Sequence, residues 1–178
     1  ISADDWLAPT MLEEEAKVLD ANPKVGMVYS QAYDVINGKD VLKMPKPAGN
    51  KSYIGRDNDF ELLLTKGDFI PSINAMTRKS IYKQLGLFDT KLKYMADFEM
   101  WIRIAQKYPL AYIAKPLTHY RIHGTNLHLN ADFHQRNEWE FEYILKKYLQ
   151  KKMQKKPFQK LAWQNYYLKV TTNAIFSG

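Results

Sequence analysis

Gly86-Leu-Phe-Asp-Thr-Lys-Leu-Lys-Tyr-Met-Ala-Asp-Phe-Glu-Met-Trp-Ile-Arg103 carries the clearest structural signal in the chain. Phe98, Trp101, Ile102 and Ala105 recur at helical spacing, which predicts an amphipathic helix over 97–108 closed by Pro109. Two short strands are expected after it, 110–114 and 118–122, parted by Lys115-Pro116. Before it, 72–77 reads as a buried strand and 78–85 as a helix closed by Gly86. Strands and helices alternate, the pattern of an α/β domain.

Farther upstream, residues 1–5 read as the end of a strand running into a loop. Pro9 suits a first helical position, and Met11, Leu12, Ala16 and Leu19 keep helical spacing up to a stop at Asn22-Pro23. Residues 25–36 are rich in β-formers, and Asn37-Gly38 predicts a two-residue hairpin before Val41-Leu42. A loop is expected over 45–56 and a short helix over 60–64, after Asp57 or Asp59. Downstream, helical periodicity resumes near residue 132, breaks at Pro157 and continues to about residue 175. The alternating part thus occupies 1–125, and 126–178 forms a basic helical extension.

With 178 residues, 46% of them hydrophobic and 25% charged, the chain has the composition of one folded domain rather than a disordered polymer. The absence of cysteine excludes disulfides, thiolate metal sites and a cysteine nucleophile. The longest apolar runs, such as 110–114, fall far short of the roughly 20 residues of a spanning helix. Residues 1–20 lack the basic start and apolar centre of a signal peptide. The net charge of +7 is uneven: 143–178 holds eight lysines and no Arg, Asp or Glu, which leaves the rest at −1. A near-neutral body without a nucleic-acid motif argues against a nucleic-acid partner. The lysine-rich tail fits either a solvated face or docking to an anionic membrane surface. In the first case its interleaved Tyr143, Ile144, Leu145, Tyr148, Leu149, Met153 and Phe158 pack on the body; in the second they lie against headgroups.

Three groups of residues are candidates for chemistry. Asp4-Asp5, at an apparent strand end, suits a hard divalent cation and a diphosphate, or caps a helix. Asp97, at a helix start, suits a proton acceptor for an attacking hydroxyl, or again a cap. In Thr118-His-Tyr-Arg-Ile-His123, strand alternation puts His119, Arg121 and His123 on one side, where imidazole ligates metal and guanidinium clamps phosphate, or all three are structural. Trp101, Met95 and Met100 are expected in the core.

The ordered set Ser2-Ala-Asp-Asp-Trp-Leu7, Val25-Gly-Met-Val-Tyr29, Gly86-Leu-Phe-Asp89, Ala96-Asp-Phe-Glu-Met-Trp-Ile-Arg103 and Tyr112-Ile-Ala-Lys-Pro-Leu-Thr-His-Tyr-Arg-Ile-His123 resembles the family 2 glycosyltransferases of GT-A fold. The match covers the C-terminal part of the catalytic domain, from the acidic metal motif onward. The resemblance implies an α/β fold with a GT-A-like mixed sheet, its N-terminal nucleotide-binding half missing, followed by C-terminal helices. It implies sugar transfer, with inversion, from a nucleotide-diphosphate sugar donor to a glycan or lipid-linked acceptor hydroxyl in surface polysaccharide or glycan synthesis. On this resemblance Asp4 and His123 face Mg²⁺ or Mn²⁺, Asp5 and Arg121 face the donor diphosphate, and Asp97 is the catalytic base. Ser2 and Ala96 depart from the family pattern, each standing where an acid is usual. The resemblance further implies a cytoplasmic enzyme, peripheral at the inner membrane face. This chain alone is expected to be inactive, with a sheet edge open to pairing as a homo-oligomer. Two competing readings are a non-catalytic GT-A-like binding module and a basic helical membrane-docking protein.

Overall fold

A computed structural model describes residues 4–43, 48–126, 129, 132–149 and 157–176. Ser2, Met153 and the tail lysines 151, 152, 155 and 156 lie outside the described residues. The elements run β1 (Trp6–Leu7), α1 (Met11–Ala21), β2 (Met27–Ile36), β3 (Lys39–Lys43), β4 (Tyr53–Ile54) and α2 (Asp59–Lys66). A 3₁₀ turn (Ser72–Asn74) leads into β5 (Ala75–Thr77), α3 (Lys79–Leu85), α4 (Ala96–Ala105), β6 (Leu110–Ile122), α5 (Phe133–Tyr148) and α6 (Pro157–Phe176). The six strands form one mixed sheet: β2 and β6 run parallel at its centre, while β1 and β4 pair antiparallel with β6, and β3 and β5 with β2. This is the expected α/β architecture, consistent with a GT-A-like sheet.

Alternation along β2 and β6 builds two apolar layers. Met27, Tyr29, Leu110 and Tyr112 join Leu63, Leu64, Phe98, Met100, Trp101, Ile102 and Ile104 in the main core under α2 and α4. Val28 and Ala111 face the other way, onto Leu19 and Val25 beside α1. Gly26 lets the α4 end approach closely, because a Cβ there would stand 2.7 Å from Tyr108 Cβ. Asn37 and Gly38, with φ of 50° and 75°, form the two-residue turn between β2 and β3.

Several elements differ from the sequence reading. Trp6–Leu7 is a strand, and Pro9 lies in a turn before α1. β4 falls inside the expected loop. The expected strand over 72–77 is half 3₁₀ turn, held by the Asn74 side-chain amide donating 2.6 Å to the Ser30 carbonyl. The two strands around Lys115-Pro116 are one, β6. Ser30 pairs with Ile113, Gln31 with Pro116 and Ala32 with Thr118, so the extra residues of β6 form an irregularity there. A proline without an N–H is tolerated in a central strand at such a bulge.

The extension is part of the same core. Phe141, Ile144, Leu145, Tyr148 and Leu149 of the α5 region and Ala162 and Tyr166 of α6 are buried in the main cluster, with Tyr143 and Phe158 packed against it. Burial of Ile144 and Leu145 alone stabilises by about 1.5–3 kcal/mol each. The apolar side of α5 therefore packs on the body and is not free to lie against lipid headgroups. Lys147 is committed too, its ammonium 2.8 Å from the buried Glu99 carboxylate and 3.0 Å from Asp89. No helix among the described residues is long and apolar enough to cross a membrane.

Candidate functional site

The β6 irregularity sets what the distal sheet presents. Beyond it, Ala32 and Asp34 of β2 and Tyr120 and Ile122 of β6 line a cavity of about 760 Å³. Its opposite wall comes from 68–73 and from the start of α4, including Asp68, Ser72 and Asp97. On the other face of the sheet, His119 stacks on Trp6 (4.8 Å between ring centroids) and leans on Tyr33 (5.2 Å).

The pairing of β1 with β6, Trp6 opposite His119, carries the preceding residues alongside Arg121 and His123. The Asp4 carboxylate lies 2.5 Å from His123 Nε2. On its other side, His123 Nδ1 accepts from the Thr125 amide at 3.3 Å. The Asp4 and His123 side chains are thus hydrogen-bonded to each other through Nε2. This hydrogen bond is the leading reason the Asp4 pKa lies below the ordinary carboxylate range. Asp5 accepts from the Arg121 backbone amide at 2.9 Å, and the Arg121 guanidinium donates from Nε to the Asp4 carbonyl at 3.1 Å. That guanidinium also lies 5.2 Å from the Trp6 ring centroid. In this arrangement Arg121 fastens the Asp4-Asp5 segment. His119 is committed to the aromatic stack, apart from Asp4 and His123.

Asp97 is the second residue of α4, and its Oδ1 accepts from the Phe98 amide at 2.8 Å. Burial pushes its pKa up; hydrogen bonds from the Phe98 amide and the Ser72 hydroxyl offset part of that shift. The N-terminal position, expected to favour the charged form, is thus outweighed by loss of solvent. Asp5 and Asp97 line the same cavity, whereas Asp4 and His123, paired with each other, are not part of its lining.

Two features had no sequence signal. Asp68 stands in the cavity wall, its Oδ1 accepting from the Ile70 amide at 3.2 Å. Loss of surrounding water and then the charge of Asp97 push its pKa up. Glu140, fully buried on α5, accepts from three successive amides: Lys93 (2.7 Å), Tyr94 (2.9 Å) and Met95 (2.9 Å). This clamp fixes the turn that delivers Tyr94 and Asp97 to the cavity. Only contacts 45 to 47 residues away in sequence reveal the role of Glu140.

Among the described residues no group of three His, Asp or Glu side chains is placed to hold a metal ion. Asp4 and His123 supply two donors. A cation there would need most of its ligands from water or substrate oxygens.

No protein-family model matches the chain. It is similar to an uncharacterized glycosyltransferase of Methanocaldococcus jannaschii, 30% identical over 131 residues, which is 73% of this chain and 43% of that protein. It is also similar to uncharacterized glycosyltransferases of Rickettsia typhi and Rickettsia prowazekii, each 24% identical over 141 residues, 79% of this chain and 43% of each relative. The chain therefore spans less than half the length of these curated relatives, and over about three quarters of its own length it is similar to proteins named as glycosyltransferases.

Proposed function

We propose that this chain forms the acceptor side of a family 2 glycosyltransferase that uses a nucleotide-diphosphate sugar. The observation that carries the reading is the sharing of one cavity by Asp5 and Asp97, with Asp5 next in sequence to the Asp4 that pairs with His123. In the proposed reaction Asp97 takes the proton of an acceptor hydroxyl as that oxygen attacks the anomeric carbon. The bond from that carbon to the diphosphate breaks, and the diphosphate leaves with the electron pair. A single displacement of this kind inverts the anomeric centre. Half-burial of Asp97 favours the role, because a carboxylate of raised pKa is a stronger base. Asp4 and His123 would hold Mg²⁺ or Mn²⁺, which supplies neutralisation of charge on the departing diphosphate. Asp5 and Arg121 keep Asp4 oriented. Among the described residues, the outer face of α6, where Leu161, Tyr167 and Leu168 are exposed beside Lys160, is the part of the tail left to meet an anionic membrane.

The test offers a panel of nucleotide-diphosphate sugars to the protein with Mn²⁺, with Mg²⁺ and with EDTA, and follows release of nucleoside diphosphate. Metal-dependent release that falls about 10²–10⁴-fold in Asp97→Asn supports the reading. Full activity in that variant refutes the assignment of the base. Donor binding without any metal-dependent release favours the binding-module reading, to which the missing acid at Ala96 lends weight.

A further inference from the structure

The main cavity does not end at Asp97. A second cavity of about 360 Å³ opens from it between α2, α5 and α6, and the two share Asp68, Tyr94 and Phe133 as lining. Tyr94 and Phe133 meet edge to face, 5.0 Å between centroids, and the Tyr94 hydroxyl donates to Asp132 at 2.5 Å, so the aromatic wall at the junction is fixed from behind. Past this wall Thr65, Lys66, Asn137, Asn165 and Lys169 bring polar groups to the lining beside Met95 and Phe141. The Asn165 side chain is held in place by donating 2.8 Å to the Thr65 carbonyl.

The geometry points to an oligosaccharide acceptor of at least two sugar units. Its reacting unit sits beside Asp97, and the next sits in the side cavity against Tyr94, Phe133 and Asn137. This rests on the transferase reading and names the acceptor class for it. Three observations support the assignment. Aromatic rings offer an apolar surface to the C–H face of a sugar. Carboxylate and amide side chains offer the paired acceptors and donors that vicinal hydroxyls need. The combined space is of the order of the roughly 300–1,000 Å³ that encloses a mid-sized ligand, more than one sugar ring fills. The polar groups of the lining argue against a lipid chain in the side cavity, because an alkyl chain there would strip water from amide and ammonium groups and return no hydrogen bonds. The extension thereby acquires a role in acceptor choice: α5 and α6 build the side cavity, whereas Asp97 comes from α4.

A printed array of mono- to hexasaccharides, followed by titration of the strongest binder and its shorter homologues, tests the inference. Affinity is expected to rise at least tenfold from the monosaccharide to the di- or trisaccharide and then level off. Asn137→Ala is expected to bring the trisaccharide back toward the monosaccharide's affinity, and it leaves the Asn165–Thr65 bond in place. An unchanged thermal melting curve confirms that this variant folds. Binding that is independent of chain length, an absence of binding to any saccharide, or full length-dependence in a folded Asn137→Ala each overturn the inference. Donor turnover is scored separately. Length-dependent binding without turnover defeats the transferase reading alone, and turnover without length dependence defeats this inference alone.

Discussion

Replacing Glu140 by alanine tests the claim that the helical extension holds the cavity wall. The side chain accepts from the Lys93, Tyr94 and Met95 amides and from Arg136 Nε at 2.9 Å. The Met95 amide is buried, and stranding such a donor costs about 1–3 kcal/mol. The Lys93 and Tyr94 amides are half-buried and recover water, so each loses only the net value of a hydrogen bond, about 0.5–1.5 kcal/mol. Arg136 is largely solvated and adds little. The sum is a loss of about 2–6 kcal/mol, which at a urea slope of about 2 kcal/mol/M lowers the midpoint by roughly 1–3 M. Glu140→Gln keeps one acceptor oxygen and is expected to lose about half as much. The assay is urea unfolding followed by circular dichroism, with the slope checked for constancy. A midpoint unchanged in Glu140→Ala would show that the amides find other partners and that the clamp contributes nothing.

Other outcomes follow from the same structure. The acid limb of a kcat–pH profile tracks ionisation of Asp97, so it is expected above the pH range of a free aspartate, with rate lost as pH falls through the raised pKa; a limb at or below that range contradicts the assignment. Burial pushes the Glu15 pKa up to about 8, with the neighbouring Ser30 hydroxyl offsetting only part of the shift. The folded protein therefore keeps a proton that the unfolded chain releases near the ordinary glutamate value. Stability falls from that value up to about pH 8, with a slope of at most about 1.4 kcal/mol per pH unit. Urea midpoints at pH 5 and pH 8 are expected to converge in Glu15→Gln relative to the parent. Gly26→Ala drives a methyl group into Tyr108 and Ile104 and is expected to cost about 1–3 kcal/mol, read as a lowered melting temperature.

Where local chemistry determines the outcome, the chain was readable. Asn37-Gly38 admits positive φ at both positions and predicts its turn unaided. Phe98, Trp101 and Ile102 trace the buried face of α4 before any neighbour is known. Pro116 misleads for the converse reason: proline usually ends a strand, and only the partner strand reveals a bulge that accommodates it. The meeting of Asp4 with His123 joins residues 119 positions apart, and no periodicity encodes it. The apolar residues of α5 have the same spacing whether they face lipid or protein, so only the presence of a complementary surface on α2 and α4 decides between them.

The register irregularity beside Gln31 has a consequence for how β2 tolerates change. Met27 and Tyr29 point into the main core and Gln31 reaches Tyr112 there, while Ala32 and Asp34 floor the cavity. In the first half of the strand both faces answer to packing, and in the second Ala32 and Asp34 answer to whatever occupies the cavity. Saturation mutagenesis along this one strand should therefore find little tolerance at any position before the irregularity, and deletion of a single residue there would swap the audiences of every side chain beyond it.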